Sequence, residues 1–193
     1  MSKISGKDGK IWYGSSVNIT NAVHADGTVT VTAAGHGLTA GERITIQSVT
    51  GMTDLNDTFT VDAIDGNDFD VTLSTEQSYS SGGTVQRVVQ ITNWTANQNA
   101  GVKDVSDSGS SGKSEFISDE FSDWDITFEG WVIGGVTPPG KGESIAFVLD
   151  KDGTYYFSGN AIITQQTTNL QVKGGDAIKA AYTAQGTGTL TEA

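Results

Sequence analysis

Phe121-Ser-Asp-Trp-Asp-Ile-Thr-Phe-Glu-Gly-Trp-Val132 is the stretch whose reading decides the fold. Trp124, Ile126 and Phe128 fall on one side of a two-residue repeat. Asp123, Asp125, Thr127 and Glu129 fall on the other. That is the period of a β-strand with one face on a core and one face in water. A helix would scatter the carboxylates around its circumference. Acidic side chains along one strand face repel each other, so that face must meet open water or a counter-charge. Two readings satisfy this: a solvated outer strand face, or the acidic wall of a water-filled channel. In both, Trp124, Ile126 and Phe128 are the candidate core.

The rest of the composition suits such strands. The chain has 193 residues, room for one large β domain or two small ones. It holds 25 Gly and only two Pro, the adjacent Pro138 and Pro139. No apolar run approaches the roughly 18 residues needed to cross a bilayer, so no membrane partner is expected. Residues 1–10 lack the apolar segment of a secretory signal, which fits synthesis in a cytoplasm. The absence of Cys excludes disulfides, thiolate metal sites and a Cys nucleophile. A net charge of −12 argues against nucleic-acid binding through phosphates, which needs a basic surface. It is compatible with a surface that nucleic acid passes without sticking.

Ahead of the central stretch, residues 10–16 read as a strand. From 18 to 86 the texture changes to short strands separated by turns. Thr28–Ala33 alternates, Glu42–Val49 buries Ile44 and Ile46, and Asp57–Ile64 buries Phe59, Val61 and Ala63. Asp65-Gly66-Asn67 is a hairpin turn, since Asp-Gly favours positive φ. Asp68–Leu73 buries Phe69, Val71 and Leu73, and Ser80-Ser-Gly-Gly83 is a flexible turn. Residues 20–86 hold nine acids and one base, Arg43, a net of −8. This module is therefore expected on a solvent-exposed exterior.

Beyond it the strands lengthen. Thr84–Thr95 alternates, and Asn97–Ser114 reads as a long polar loop. Gly134–Gly142 is a rigid turn around its two prolines. Ser144–Leu149 is a short strand or the start of a helix; the pattern does not decide. Asp150–Gly153 is a hairpin turn, Thr154–Val172 is extended, Gly174-Gly175 turns it, Asp176–Gln185 alternates, and Gly186–Ala193 is a tail. The expected architecture is all-β with at most one short helix. Residues 1–17 and 87–193 form a β-sandwich or barrel, and a small β domain, 18–86, is inserted after its first strand. Few devices blunt the strand edges, and oligomerisation would close them.

Catalysis has little to stand on. His24 and His36 are the two histidines, and His36 in Gly35-His-Gly-Leu38 reads as a structural turn residue. There is no Gly-x-Ser-x-Gly nucleophile elbow. The glycines at 35, 37 and 41 miss dinucleotide spacing. Asp65–Asp70 fails the order of an EF-hand. No catalytic, cofactor or metal residue is expected, and the chain reads as a non-enzyme. The four Trp could stack on sugars, which keeps a carbohydrate-binding or adhesion module as the alternative.

Two resemblances follow. Gln90-Ile-Thr-Asn-Trp-Thr95, Asp123-Trp-Asp-Ile-Thr-Phe-Glu-Gly130, Tyr156-Phe-Ser-Gly-Asn-Ala-Ile-Ile163 and Ala184-Gln-Gly-Thr-Gly-Thr-Leu190 resemble, in order and spacing, the tail tube proteins of long-tailed bacteriophages. Ala34-Gly-His-Gly-Leu-Thr-Ala-Gly-Glu42, Gly51-Met-Thr-Asp-Leu-Asn56, Phe59-Thr-Val61 and Ser81-Gly-Gly-Thr-Val85 resemble a small β domain repeated in phage tail proteins and found in ubiquitin-activating enzymes. The enzyme context is not implied. The first resemblance implies a virion protein, assembled in the host cytoplasm, that forms hexameric rings. These stack into a hollow tube for DNA ejection. Its implied partners are further copies of itself, the tape measure, tail terminator and distal tail proteins, and DNA in transit. Asp123, Asp125, Thr127 and Glu129 become candidates for the lumen wall. The Asn97–Ser114 segment, with Asp104, Asp107 and Lys113, becomes the candidate inter-ring loop. The insert is expected on the outside, where it leaves the lumen open.

Overall fold

The computed structural model describes residues 2–6, 8–104, 116–133, 138–150, 156–169 and 177–192. The protein is all-β. In chain order its strands are β1 (Ser2–Gly6), β2 (Asp8–Asn18), β3 (Asn21–Ala25), β4 (Thr28–Thr32), β5 (Arg43–Thr50), β6 (Thr58–Thr60) and β7 (Ala63–Asp65). They continue as β8 (Asp68–Thr72), β9 (Ser81–Asp104), β10 (Phe116–Ile133), β11 (Ser144–Asp150), β12 (Tyr156–Asn169) and β13 (Ala177–Glu192). A single 3₁₀ turn, Thr53–Leu55, is the helical element among the described residues.

Six of these strands close on themselves. β2 pairs β9, β9 pairs β10, then β10 pairs β13, β13 pairs β12, β12 pairs β11, and β11 returns to β2, all antiparallel. A ring this small has an interior just wide enough for side chains. The sequence fills it with aromatics: Trp94, Trp124, Phe128, Phe147, Phe157 and Tyr182. They interlock in pairs. Trp94 meets Phe157 and Trp124 meets Phe147 edge-to-face, while Phe128 stacks on Tyr182 with centroids 4.7 Å apart. Such offset and edge-on contacts suit the ring quadrupoles and add about 0.5–1.5 kcal/mol per pair beyond burial.

The β10–β13 ladder ends at Asp125 opposite Gln185. There the Trp124 indole lies across Gly186, where a Cβ would fall 2.0 Å from Cε2. Only glycine fits beneath that ring. The indole Nε1–H donates to the Gly188 carbonyl at 2.8 Å, and Gln185 Nε2–H donates to the Trp124 carbonyl at 2.8 Å.

A second core is built differently. Sheet β3-β4-β8-β7 packs over β5 and the first part of β9. Its contents are mostly aliphatic: Val29, Val31, Ile44, Ile46, Val71 and Val85, with Phe69 the fully buried aromatic side chain. β9 serves both cores, contributing Val85 to the second and Val89 and Ile91 to the barrel.

Several sequence expectations change. Ser81–Gly83 is no free turn but the start of β9, with Thr50 opposite Ser81 and Val49 opposite Gly82. The positive φ at Gly82 and Gly83 favours glycine without reversing the chain, and clearance adds to it: a Cβ on Gly83 would meet Val49 Cγ2 at 2.5 Å. Asn97–Asp104 is strand, not loop. β10 supplies the partner backbone, from Asn97 opposite Asp125 to Asp104 opposite Phe116, and ladder hydrogen bonds are indifferent to side-chain polarity. The rest of that expected loop, 105–115, lies outside the described residues, as do most of the 150–153 and 174–175 turns and half of 134–142.

Asp57–Ile64 is two strands in different sheets. The chain crosses between them at Val61 and Asp62, whose N–H groups donate to Glu42 and Asp70 carbonyls at 2.9 and 2.8 Å. Crossing breaks the alternation, so Val61 is buried, Phe59 half-buried and Ala63 exposed. Ser144–Asp150 is a strand, held between β2 and β12. Residues 186–192, expected as a tail, extend β13 against β12 as far as Glu192 opposite Phe157. β1 and β3 carry too little apolar periodicity to be read from sequence; β1 exists by pairing with β9 at 94–98.

Candidate functional site

The outer face of β9, β10, β13 and β12 assembles polar side chains strand by strand. Pairing sets the rows. Asp125 lies between Asn97 and Gln185, Thr127 between Thr95 and Thr183, and Glu129 between Asn93 and Ala181. Asp123 and Thr127 are exposed, while Asp125 and Glu129 are half-buried. On the opposite face Trp124, Ile126 and Phe128 are buried in the barrel. A shallow groove of about 240 Å³ runs along the polar face, lined among others by Asn93, Thr95, Thr127, Glu129, Gln165 and Thr183.

The carboxylates are partly matched. Asn97 Nδ2–H donates to Asp125 Oδ2 at 2.8 Å. Lys179 Nζ pairs with Glu129 Oε2 across the β10–β13 diagonal at 2.5 Å. Both side chains of that pair remain about 40% exposed, so it contributes at most about 1 kcal/mol. Its larger effect is to offset the Lys179 charge on this face. Around it stand hydroxyls, amides and carboxylates: Thr95, Thr127, Thr183, Asn93, Asn97, Asp123 and Asp125. Among the described residues no three His, Asp or Glu side chains converge as metal ligands. Asp104 sits at the end of β9 opposite Phe116, in a strand rather than a loop. Asp107 and Lys113 lie outside the described residues.

A buried polar cluster joins the two cores, and sequence reasoning missed it. Glu42 is 2% exposed. Its Oε1 accepts from Arg87 Nε at 3.2 Å, and its Oε2 accepts from the Thr39 N–H at 3.0 Å. Arg87 also donates to the Gly37 carbonyl. Tyr13, in the barrel, pairs with Arg87 in register. Burial, then the Glu42 carboxylate, push the Tyr13 hydroxyl well above the ordinary tyrosine range. A lone Arg within the apolar run from Val85 to Val89 is the signal that could have found this bridge. His36 is buried beside it in sequence: its Nδ1 accepts from the Leu38 N–H at 2.9 Å and its ring meets Phe69 edge-on. His24 Nε2–H donates to the Leu73 carbonyl at 2.7 Å. Neither histidine faces a nucleophile in these contacts.

Residues 24–89 match the family model of the ubiquitin-activating enzyme E1 FCCH domain. The match runs from β3 to Val89 in β9 and covers the aliphatic core. The small module is therefore similar to that domain, while the barrel lies largely beyond the matched residues. The chain has no match among curated proteins.

Proposed function

We propose that the chain is a structural subunit of a phage tail tube. Copies assemble into hexameric rings, the rings stack, and DNA leaves through the lumen. The observation that carries this reading is the outer face of β9, β10, β13 and β12. It is broad, polar and acidic, and Lys179 on it is tied to Glu129. Such a wall repels phosphates and gives DNA nothing to hold. In this reading Asp123, Asp125, Thr127 and Glu129 face the lumen, and the small module decorates the outside. Copies of itself are the main partners, followed by the tape measure, tail terminator and distal tail proteins. The subunit has no catalytic role, and it is found in the virion tail after assembly in the host cytoplasm. The glycan-binding alternative has less support, since Trp94 and Trp124 are buried.

Negative-stain electron microscopy over a range of protein concentrations tests the reading. Rings or hollow tubes with peripheral knobs are expected; other regular assemblies without a central channel would overturn it. Replacing Asp123, Asp125 and Glu129 with Lys should leave tubes intact and stop DNA ejection. Normal ejection would remove these residues from the lumen.

A further inference from the structure

The groove on the polar face has a construction that an acidic wall does not require. Two rows of side chains form its sides. One row runs Thr95, Thr127, Thr183, Gln165, and the other Asn93, Glu129, Ala181, Thr167, across β9, β10, β13 and β12 in register. All of them line the groove, and each is exposed or half-buried, so the groove is open to solvent. Between the rows, Trp94, Phe128 and Tyr182 are buried in the barrel core and leave backbone as the floor. Strands about 4.8 Å apart make this a trench about 14 Å long, running across them.

Both end strands break alternation to supply it. In β9 the register on β10 slips between Asn93 and Ile91, and in β12 the register on β13 slips between Ile163 and Gln165. Ile91 and Ile163 are core residues. Strict alternation from them would send Asn93 and Gln165 inward as well. The bulges turn both amides outward instead, one into each side of the trench and at opposite ends. Hydroxyls fasten the bulges: Thr92 Oγ1–H donates to the Glu129 carbonyl at 3.4 Å, and Thr164 Oγ1–H to the Thr183 carbonyl at 3.1 Å.

We propose that this trench binds a short, linear, neutral saccharide laid across the strands. The lining chooses the ligand. Threonine hydroxyls and the Asn93 and Gln165 amides both donate and accept, as sugar hydroxyls do. The carboxylate in the wall, Glu129, is engaged by Lys179. An anion is repelled by Asp123 and Asp125 on the same face. An apolar ligand would strip water from the amides and leave them unpaired. An extended peptide would find no pockets for its alternate side chains. The saccharide exchanges hydrogen bonds with Thr95, Thr127 and Thr183 on one side, and Asn93 and Gln165 hold its two ends. Stacking on tryptophan is not involved, since Trp94 is buried beneath the floor. This goes beyond the tube reading, and either can fail alone: assembly is read by microscopy and the site by binding.

The test titrates the full chain with cellotriose, maltotriose and N-acetylated chitotriose, followed by NMR of backbone and side-chain amides. At least one sugar should shift the Asn93 and Gln165 side-chain NH2 signals together with the backbone amides of Thr127 and Thr183. Trigalacturonic acid, with a carboxylate on each ring, should bind at least about tenfold more weakly than that sugar. Asn93→Ala and Gln165→Ala should each weaken sugar binding about tenfold. Thr127→Val, which keeps the shape and the strand and removes the hydroxyl, should weaken it by a smaller factor. No shift in the groove up to the solubility limit of all three sugars overturns the proposal. Shifts centred elsewhere, or an affinity unchanged in all three variants, overturn it too. Equal shifts with the neutral peptide Gly-Thr-Gly-Thr also overturn it, because the occupant would then be protein.

Discussion

The barrel and the small module solve the same problem with different materials. The barrel closes six strands around a narrow space and fills it with large rings in fixed mutual orientations. The module packs two short sheets over β-branched aliphatics and relies on its loops. Asn56 shows the second strategy. Its side chain both accepts from the Val49 N–H at 2.7 Å and donates to the Val49 carbonyl at 2.9 Å. Glu42 and His36 likewise hold loop backbone with side-chain atoms. In the barrel, specificity lies in what fills the centre; in the module it lies in how the periphery is tied.

That contrast can be broken experimentally. All four Trp lie outside residues 18–86, so tryptophan fluorescence reports the barrel while far-ultraviolet dichroism reports both regions. The largest effect is expected from Phe128→Ala, which removes one half of the stacked pair. It should cost about 3–5 kcal/mol in urea denaturation followed by fluorescence. A cost near that of a surface substitution would mean the rings are not what holds the barrel.

Glu42→Ala comes next, because it acts on the bridge. Arg87 would lose a charged partner while its side chain stays only 22% exposed, for about 1.5–3 kcal/mol. The two spectroscopic transitions should lie further apart than in the parent. Asn56→Ala should cost about 1–3 kcal/mol and move the dichroism transition ahead of fluorescence, since the Val49 groups lose their partner. If fluorescence moves equally, the regions unfold as one unit and the contrast is only one of composition.

The smallest effect is in alkali. Burial pushes the Tyr182 hydroxyl up to about 12, against about 10 in an unfolded chain. The folded state holds this proton more tightly, so the contribution is whole below pH 10 and is lost as pH rises through 12. Its slope is at most about 1.4 kcal/mol per pH unit, and Tyr182→Phe should reduce the alkaline slope of a pH series of denaturation curves by that share, leaving the share of Tyr13.

The same contrast governs what could be read in advance. Alternation along 121–132 is legible because the barrel has one wet and one dry face; period two holds in β10 and β11 but slips in β9, where burial passes from Ile91 to Trp94 at a bulge. Turn chemistry at Asp65-Gly66 was equally plain. Polarity misled where backbone pairing alone made the strand, as at Asn97–Asp104. Glycine misled at Gly83, whose positive φ and clearance beneath Val49 serve a strand rather than a reversal of the chain. The Glu42–Arg87 bridge escaped because its members are 45 residues apart and only the register of β5 on β9 brings them together. The polar face was visible one strand at a time; its breadth came from neighbours whose order no periodicity encodes.

The chain enters the small module at the end of β2 and leaves it at the start of β9, and these points are hydrogen-bonded neighbours, Val17 opposite Val85 and Asn18 opposite Thr84. To the barrel, everything between is the tip of a hairpin. The seam is thus a socket: a two-residue turn could close it, or a foreign domain with adjacent termini could occupy it, without re-routing a barrel strand. A cargo spliced there would be displayed once per chain at the position the native module now holds.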